Sequence, residues 1–234
     1  MTLRHVLSED ELSTLRSEGY VNLRHTEDAL STLELAKNIG TVLDLQENDP
    51  AYPSTEIDIL TPKDKTLHQP NRYHGIFGLD EYPAHTDLAH WFRPPRYILL
   101  RALRGTPTVK TFIYPAEALL DFLPKKLAAR ALFFPRTARI VTALPFQISR
   151  GSKFTARFDP VFIRPANAEA KHCMDIFRSD SFLSTRKSII LSKPRYALIL
   201  DNWRCLHGRS SVPASEKNRA IERVYLENIY GISG

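Results

Sequence analysis

The chain is expected to fold as an α+β protein built around an antiparallel sandwich or barrel. Three observations lead there. Helical patterns gather near the start, strand patterns fill most of the remainder, and no regular βα alternation asks for a parallel sheet. No internal repeat, low-complexity tract or interior linker divides the 234 residues, so 1–234 is read as a single domain.

The elements follow in order. Ser8-Glu9-Asp10-Glu11 opens like a helix start, with a capping Ser and an acid three residues later; Leu12, Leu15 and a stop at Gly19 complete it. Tyr20-Val21-Asn22-Leu23 alternates as a strand. A second helix is predicted from Asp28 to Ile39, ending at Gly40. Between Gln46 and Pro83 the chain is polar and broken by Pro50, Pro53, Pro62, Pro70 and Gly75, which predicts a long loop with at most short strands. Strands are then expected at Tyr97–Leu103 and Val109–Tyr114. Pro115 opens an Ala/Leu-rich helix that stops before Pro124, and Lys125 to Leu132 allows a further turn or two. Later strand candidates are Arg139–Thr142, Phe154–Phe162, Ser188–Leu191, Tyr196–Leu200 and Arg223–Tyr230.

Composition narrows the class. Hydrophobic residues make up 43% of the chain and charged residues 25%, an ordinary globular balance. No run approaches the roughly 18 apolar residues of a membrane span, and the start lacks an apolar signal region, so a cytoplasmic location is expected. Cys173 and Cys205 are too few for a disulfide framework and are not spaced as a zinc pair. The formal net charge of +6 could attract nucleic acid, but the basic residues are scattered and no zinc-finger, helix-turn-helix or RNA-recognition signature accompanies them. Neither a nucleic-acid nor a membrane partner is expected; oligomeric state is not legible.

The chemistry begins at His85-Thr86-Asp87. In a strand, residues i and i+2 share a face, so the imidazole and the carboxylate can converge on one point. Alone this triplet is a weak signal. Far downstream, Leu198 to Arg209 reads as a buried strand ending in a polar turn with one histidine, His207. Two His and one carboxylate are the composition of a facial triad, which leaves positions open and suits Fe(II). Zinc is the main competitor, although its catalytic sites usually fill three tetrahedral positions and activate one water. Beyond His207, Arg219 and Arg223 stand four apart, an offset that keeps both on one face of a strand. A guanidinium can clamp a carboxylate with two parallel hydrogen bonds.

Together with Pro94-Pro95-Arg96-Tyr97, Thr111-Phe112-Ile113-Tyr114, Asp201-Asn202 and Leu206-His207-Gly208-Arg209, these motifs give a pattern. It resembles the taurine dioxygenase, TfdA and clavaminate synthase superfamily of Fe(II)/2-oxoglutarate oxygenases, from about residue 8 to the C-terminus and faintly before His85. The resemblance implies a double-stranded β-helix (jelly-roll) core with flanking helices. It implies His85, Asp87 and His207 as iron ligands and catalytic centre, and Arg219 as the clamp for the far carboxylate of 2-oxoglutarate. It also implies a threonine for that carboxylate, with Thr111 the better fit and Thr108 the runner-up. Arg223 takes a position that faces the primary substrate in some members and is structural in others. The implied reaction consumes O2, decarboxylates 2-oxoglutarate to succinate and CO2, and oxidises an unactivated carbon, most often by hydroxylation. A carboxylate at Asp87 disfavours halogenation, because halogenating relatives have a small residue there.

Tyr73, His74 and Trp91 are the remaining substrate-side candidates: the first two sit in the polar loop eleven or twelve residues before the H-x-D triplet, and Trp91 closely follows it. Cys205 lies two residues from His207, but a fourth protein ligand would narrow the open face, so it is left out. The expected substrate is a small polar metabolite, such as an amino acid or biosynthetic intermediate. The alternatives are a non-catalytic basic binding domain on the same fold and a zinc hydrolase using the same triad.

Overall fold

The computed structural model describes residues 7–24, 30–50, 52–53, 55–65, 72–136, 142–149 and 153–232. Strands in chain order are β1 (Tyr20–Leu23), β2 (Gly40–Val42), β3 (Asp58–Leu60), β4 (Tyr82–His85), β5 (Tyr97–Arg104), β6 (Lys110–Pro115), β7 (Leu132–Pro135), β8 (Leu144–Pro145), β9 (Ile163–Pro165), β10 (Lys187–Ile190), β11 (Ala197–Asp201), β12 (Cys205–Arg209) and β13 (Ala220–Ile229). The helices are α1 (Glu9–Glu18), α2 (Thr32–Ile39), α3 (Leu45–Asn48), α4 (Tyr73–Phe77), α5 (Lys125–Ala128), α6 (Ala168–Phe177) and α7 (Asp180–Leu183).

Two antiparallel sheets dominate. One runs β1-β11-β5-β13-β2 with β3 also paired to β13; the other runs β10-β6-β12-β4. A small third sheet has the order β8-β7-β9. Alternation along the strands explains how they stack. Ile98, Leu100 and Ala102 of β5 join Ile113 of β6, Cys205 of β12 and Ile221 and Tyr225 of β13 in one cluster, so this core lies between the two large sheets. Tyr97 and Leu99 face the other way and pack with Leu12 and Leu15 of α1 and Leu35, Ala36 and Ile39 of α2. Phe112 and Tyr114 face outward from β6 onto Cys173, Met174 and Phe177 of α6. Each fully buried Leu, Ile or Phe in these layers contributes about 1.5–3 kcal/mol relative to exposure.

Local chemistry accounts for most boundaries. Ser8 and Glu11 form a capping box on α1, and Gly19 ends it at φ 78°, a left-handed conformation that glycine adopts without penalty. The second helix begins later than expected: Ser31 and Glu34 form a second capping box that starts α2 at Thr32, while Asp28 lies outside the described residues. The helix expected after Pro115 is a 3-10 helix over Ala116–Asp121, whose three-residue repeat puts buried Ala116 and Leu119 on one line. Lys125 to Leu132 divides into α5 and the start of β7. Most of the Arg139–Thr142 strand lies outside the described residues.

Phe154–Phe162 is not a strand. Residues 154–158 join no ladder, and their hydrogen bonds go to three different segments: Ala156 N–H to Trp203, Arg157 N–H to Phe146, and the Phe158 carbonyl to Thr86. Asp159 then turns the chain by accepting from the N–H groups of Val161 and Phe162, and Pro160 has no N–H to extend a ladder. Sequence reading passed over α6, although Asn167 caps it and Ala170, Cys173, Met174 and Phe177 recur on its buried face.

Candidate metal centre

His85 closes β4 and stands in register with His207 on β12. The distal motif is therefore two strands, β11 and β12, joined by a turn, rather than one strand with a trailing histidine. Asp87 lies in the turn after β4, not in the strand itself, and still reaches the imidazoles. Thr86 faces the other way: its N–H donates to Phe158 O and its Oγ1 donates to Ala156 O. Asn202 fixes the turn from across the site, accepting from Asp87 N–H at 2.9 Å and donating to the Asp87 and Pro95 carbonyls. Leu88 follows at φ 54°, a strained conformation for a residue with a branched side chain.

The result is a buried three-donor cluster. Asp87 Oδ1 lies 3.3 Å from His85 Nε2 and 3.6 Å from His207 Nε2, and the ligand atoms of all three residues fall within 4.8 Å of one another. His85 Nδ1 sits 2.9 Å from the Pro83 carbonyl, which can only accept; Nδ1 therefore carries a proton, and Nε2 is the nitrogen directed at the cluster. The two imidazoles shift in opposite directions: burial works against a charge on His85, but Asp87 outweighs it and raises the pKa, while burial, followed by the charge of His85, lowers that of His207, so a metal ion would displace a proton from His85. Burial works against ionised Asp87, but Arg223 and His207 outweigh it and hold the carboxyl well below its usual range. Neutral imidazole and ionised carboxylate are the forms that bind a metal ion.

Of the other expected residues, Arg223 and Tyr73 adjoin the triad. Arg223 Nη1 donates to Asp87 Oδ2 at 2.8 Å and its Nη2 to Asp58 Oδ2 at 2.8 Å; the Tyr225 hydroxyl donates to the same Asp87 Oδ2 at 3.0 Å. Arg219 is buried just before β13, with no hydrogen bond or ion pair from its guanidinium among the described residues. Burial and the charge of Arg209 push it down to about 10. Arg209 connects this region to Thr111, which is buried directly opposite it in register on β6. Thr108 is exposed, and its hydroxyl is engaged by Glu216 at 2.9 Å.

The Tyr73 ring stands 4.4 Å from the His85 ring. Trp91 is buried and meets Tyr52 edge-on at 5.8 Å, while Arg157 holds the loop beneath it by donating to the Ala89, Trp91 and Phe92 carbonyls. His74 lies on α4 beside Tyr73, where burial and the charges of Lys63 and Arg72 lower its pKa.

Sequence reasoning missed Asp159. Burial pushes this carboxyl up to about 6, although His85 and the backbone N–H groups of Phe162 and Val161 pull the other way. The Tyr73 phenol lies against it and is pushed well above its ordinary range by burial and by that charge. An acid framed by Phe158, Pro160, Val161 and Phe162 was the available signal, since an acid in so apolar a setting is seldom solvated.

No family model matches the chain, and no curated protein matches it. Solved structures share its fold. Asparagine oxygenase in complex with Fe(II), (2S,3S)-3-hydroxyasparagine and succinate aligns at a TM-score of 0.68 and 16% identity, covering 93% of this chain and 78% of that one. PvcB from Pseudomonas aeruginosa aligns at 0.64 and 16%, covering 92% and 78%. The non-haem iron oxygenase OrfP in complex with Fe and alpha-ketoglutaric acid aligns at 0.62 and 16%, covering 95% and 81%.

Proposed function

We propose that this chain is an Fe(II)- and 2-oxoglutarate-dependent dioxygenase, a single domain on a double-stranded β-helix core. It hydroxylates an unactivated carbon of a small polar metabolite of the amino-acid kind. The observation that carries the reading is the buried convergence of His85, Asp87 and His207 on one point. Two imidazoles and one carboxylate oxygen suit Fe(II) and leave adjacent positions for a keto acid and O2. Bound there, the metal would bring 2-oxoglutarate and O2 together and supply the oxidising power for attack on a C–H bond. One oxygen atom of O2 ends in succinate and the other in the hydroxyl product, with CO2 released.

The chain's own residues set up that reaction. Arg219, buried and with no guanidinium hydrogen bond among the described residues, offers a charge-assisted fork to the far carboxylate of 2-oxoglutarate, and Thr111 offers a hydroxyl to the same group. Tyr73, His74 and Trp91 belong to the substrate wall and exclude water from the reacting carbon. Asp159 adds an acceptor beside His85, suited to an amine or amide group. The neighbouring asparagine oxygenase and OrfP structures hold hydroxylated amino acids, which supports the substrate class.

The test is turnover. Protein supplied with Fe(II), 2-oxoglutarate and air should form succinate, faster when the right free amino acid is added, and that compound should gain one oxygen atom. His207→Ala should form none. Succinate formation that survives His207→Ala would refute the reading.

A further inference from the structure

Arg223 reaches two carboxylates at once. Asp87 and Asp58 each accept from one of its terminal nitrogens, and the two contacts have the same length, 2.8 Å. The short strand β3 makes this possible, because it places Asp58 directly opposite Arg223 on β13. Two residues on, Tyr225 uses the same face of β13 to donate to Asp87 Oδ2. That oxygen therefore carries two donors, while Oδ1 faces the two imidazoles at 3.3 and 3.6 Å. The charges balance in a definite way. Arg223 alone would set a positive charge beside a bound cation, and Asp58 cancels it, so the Asp87 charge is kept for the metal.

We propose that Asp58, Arg223 and Tyr225 are positioning residues that fix Asp87 as a one-oxygen metal ligand, with Asp58 neutralising the guanidinium that does the orienting. The inference rests on the reading of His85, Asp87 and His207 as a metal site. It assigns Asp58 and Tyr225 a part in the site and places Arg223 behind the metal ligand rather than on the substrate. Hydrogen-bond partners of a ligating carboxylate orient it and tune its affinity, and their loss typically weakens metal binding about 10–100-fold.

The experiment is an anaerobic titration of the full chain with Co(II), whose visible bands report the ligand set, with circular dichroism of the metal-free proteins to establish folding. Asp58→Asn should weaken Co(II) binding about tenfold or more, and Asp58→Glu should recover part of the loss. Tyr225→Phe removes one hydroxyl, keeps every charge, and should weaken binding by roughly a factor of five. The affinity of the metal-loaded Asp58→Asn protein for 2-oxoglutarate should stay at the wild-type value, which separates positioning from general damage. Should Asp58→Asn not fold, Tyr225→Phe decides. Wild-type affinity in the folded Asp58→Asn protein, or in Tyr225→Phe where that protein decides, overturns this inference and leaves the metal site standing. Failure of the wild-type chain to bind Co(II) overturns both.

Discussion

Arg223 and Asp87 meet at 2.8 Å through Oδ2 of the carboxylate, the oxygen turned away from the two imidazoles. Asp87 is buried and Arg223 partly so, and the pair links β13 to the H-x-D turn.

Removing the cation should therefore cost stability. Arg223→Met leaves Asp87 and Asp58 without their shared partner, and breaking a buried pair costs about 3–5 kcal/mol. The cost should depend on pH. Arg223 helps hold Asp87 well below its ordinary value of 3.8, so the contribution is present above that value and is lost as pH falls through the folded-state value. Denaturant unfolding of the metal-free proteins should show a large gap at neutral pH that narrows in acid.

Arg219 should govern the cosubstrate. Arg219→Lys keeps the charge but loses the fork, and truncating a buried charge-assisted contact costs about 2 kcal/mol or more, roughly a 30-fold rise in Kd for 2-oxoglutarate. Thr111→Val should raise it about fivefold, the worth of one hydrogen bond. Thr108→Val should leave it unchanged, because that hydroxyl is exposed and already bonded to Glu216. Titration calorimetry on the metal-loaded proteins separates the three.

Asp159 gives the opposite pH signature from Asp87. Its folded value of about 6 lies above the ordinary 3.8, so its protonated form stabilises the fold below 3.8 and that contribution is lost as pH rises through about 6. The difference corresponds to about 3 kcal/mol. Asp159→Asn should remove this slope, so the melting temperature of the metal-free variant should gain on wild type between those pH values. Parallel melting curves would show that Asp159 is not held protonated.

The triad was legible because its residue types and order are distinctive, although the i, i+2 strand argument for His85 and Asp87 was only half of the cause. Asp87 is placed by a turn that Asn202 holds from 115 residues away, a long-range contact that spacing does not reveal. Asp58 was hidden for the same reason, lying in a stretch that reads as loop until β13 pairs with it. Apolar patterning did expose β1, β5, β6, β10, β11 and β13 of the two large sheets, but not the short β2, β3 and β4, nor β12 as a strand separate from β11. It misled at Phe154–Phe162, where the backbone finds several partners instead of one, and α6 was missed despite its Asn167 cap and its 170, 173, 174, 177 apolar face.

The central claim is that His85, Asp87 and His207 together hold Fe(II) with 2-oxoglutarate bound to it. Anaerobic addition of Fe(II) and then 2-oxoglutarate should produce a weak visible charge-transfer band in the wild-type chain and none in His85→Ala. A metal-loaded wild-type protein without the band, or a His85→Ala protein that retains it, would contradict the claim.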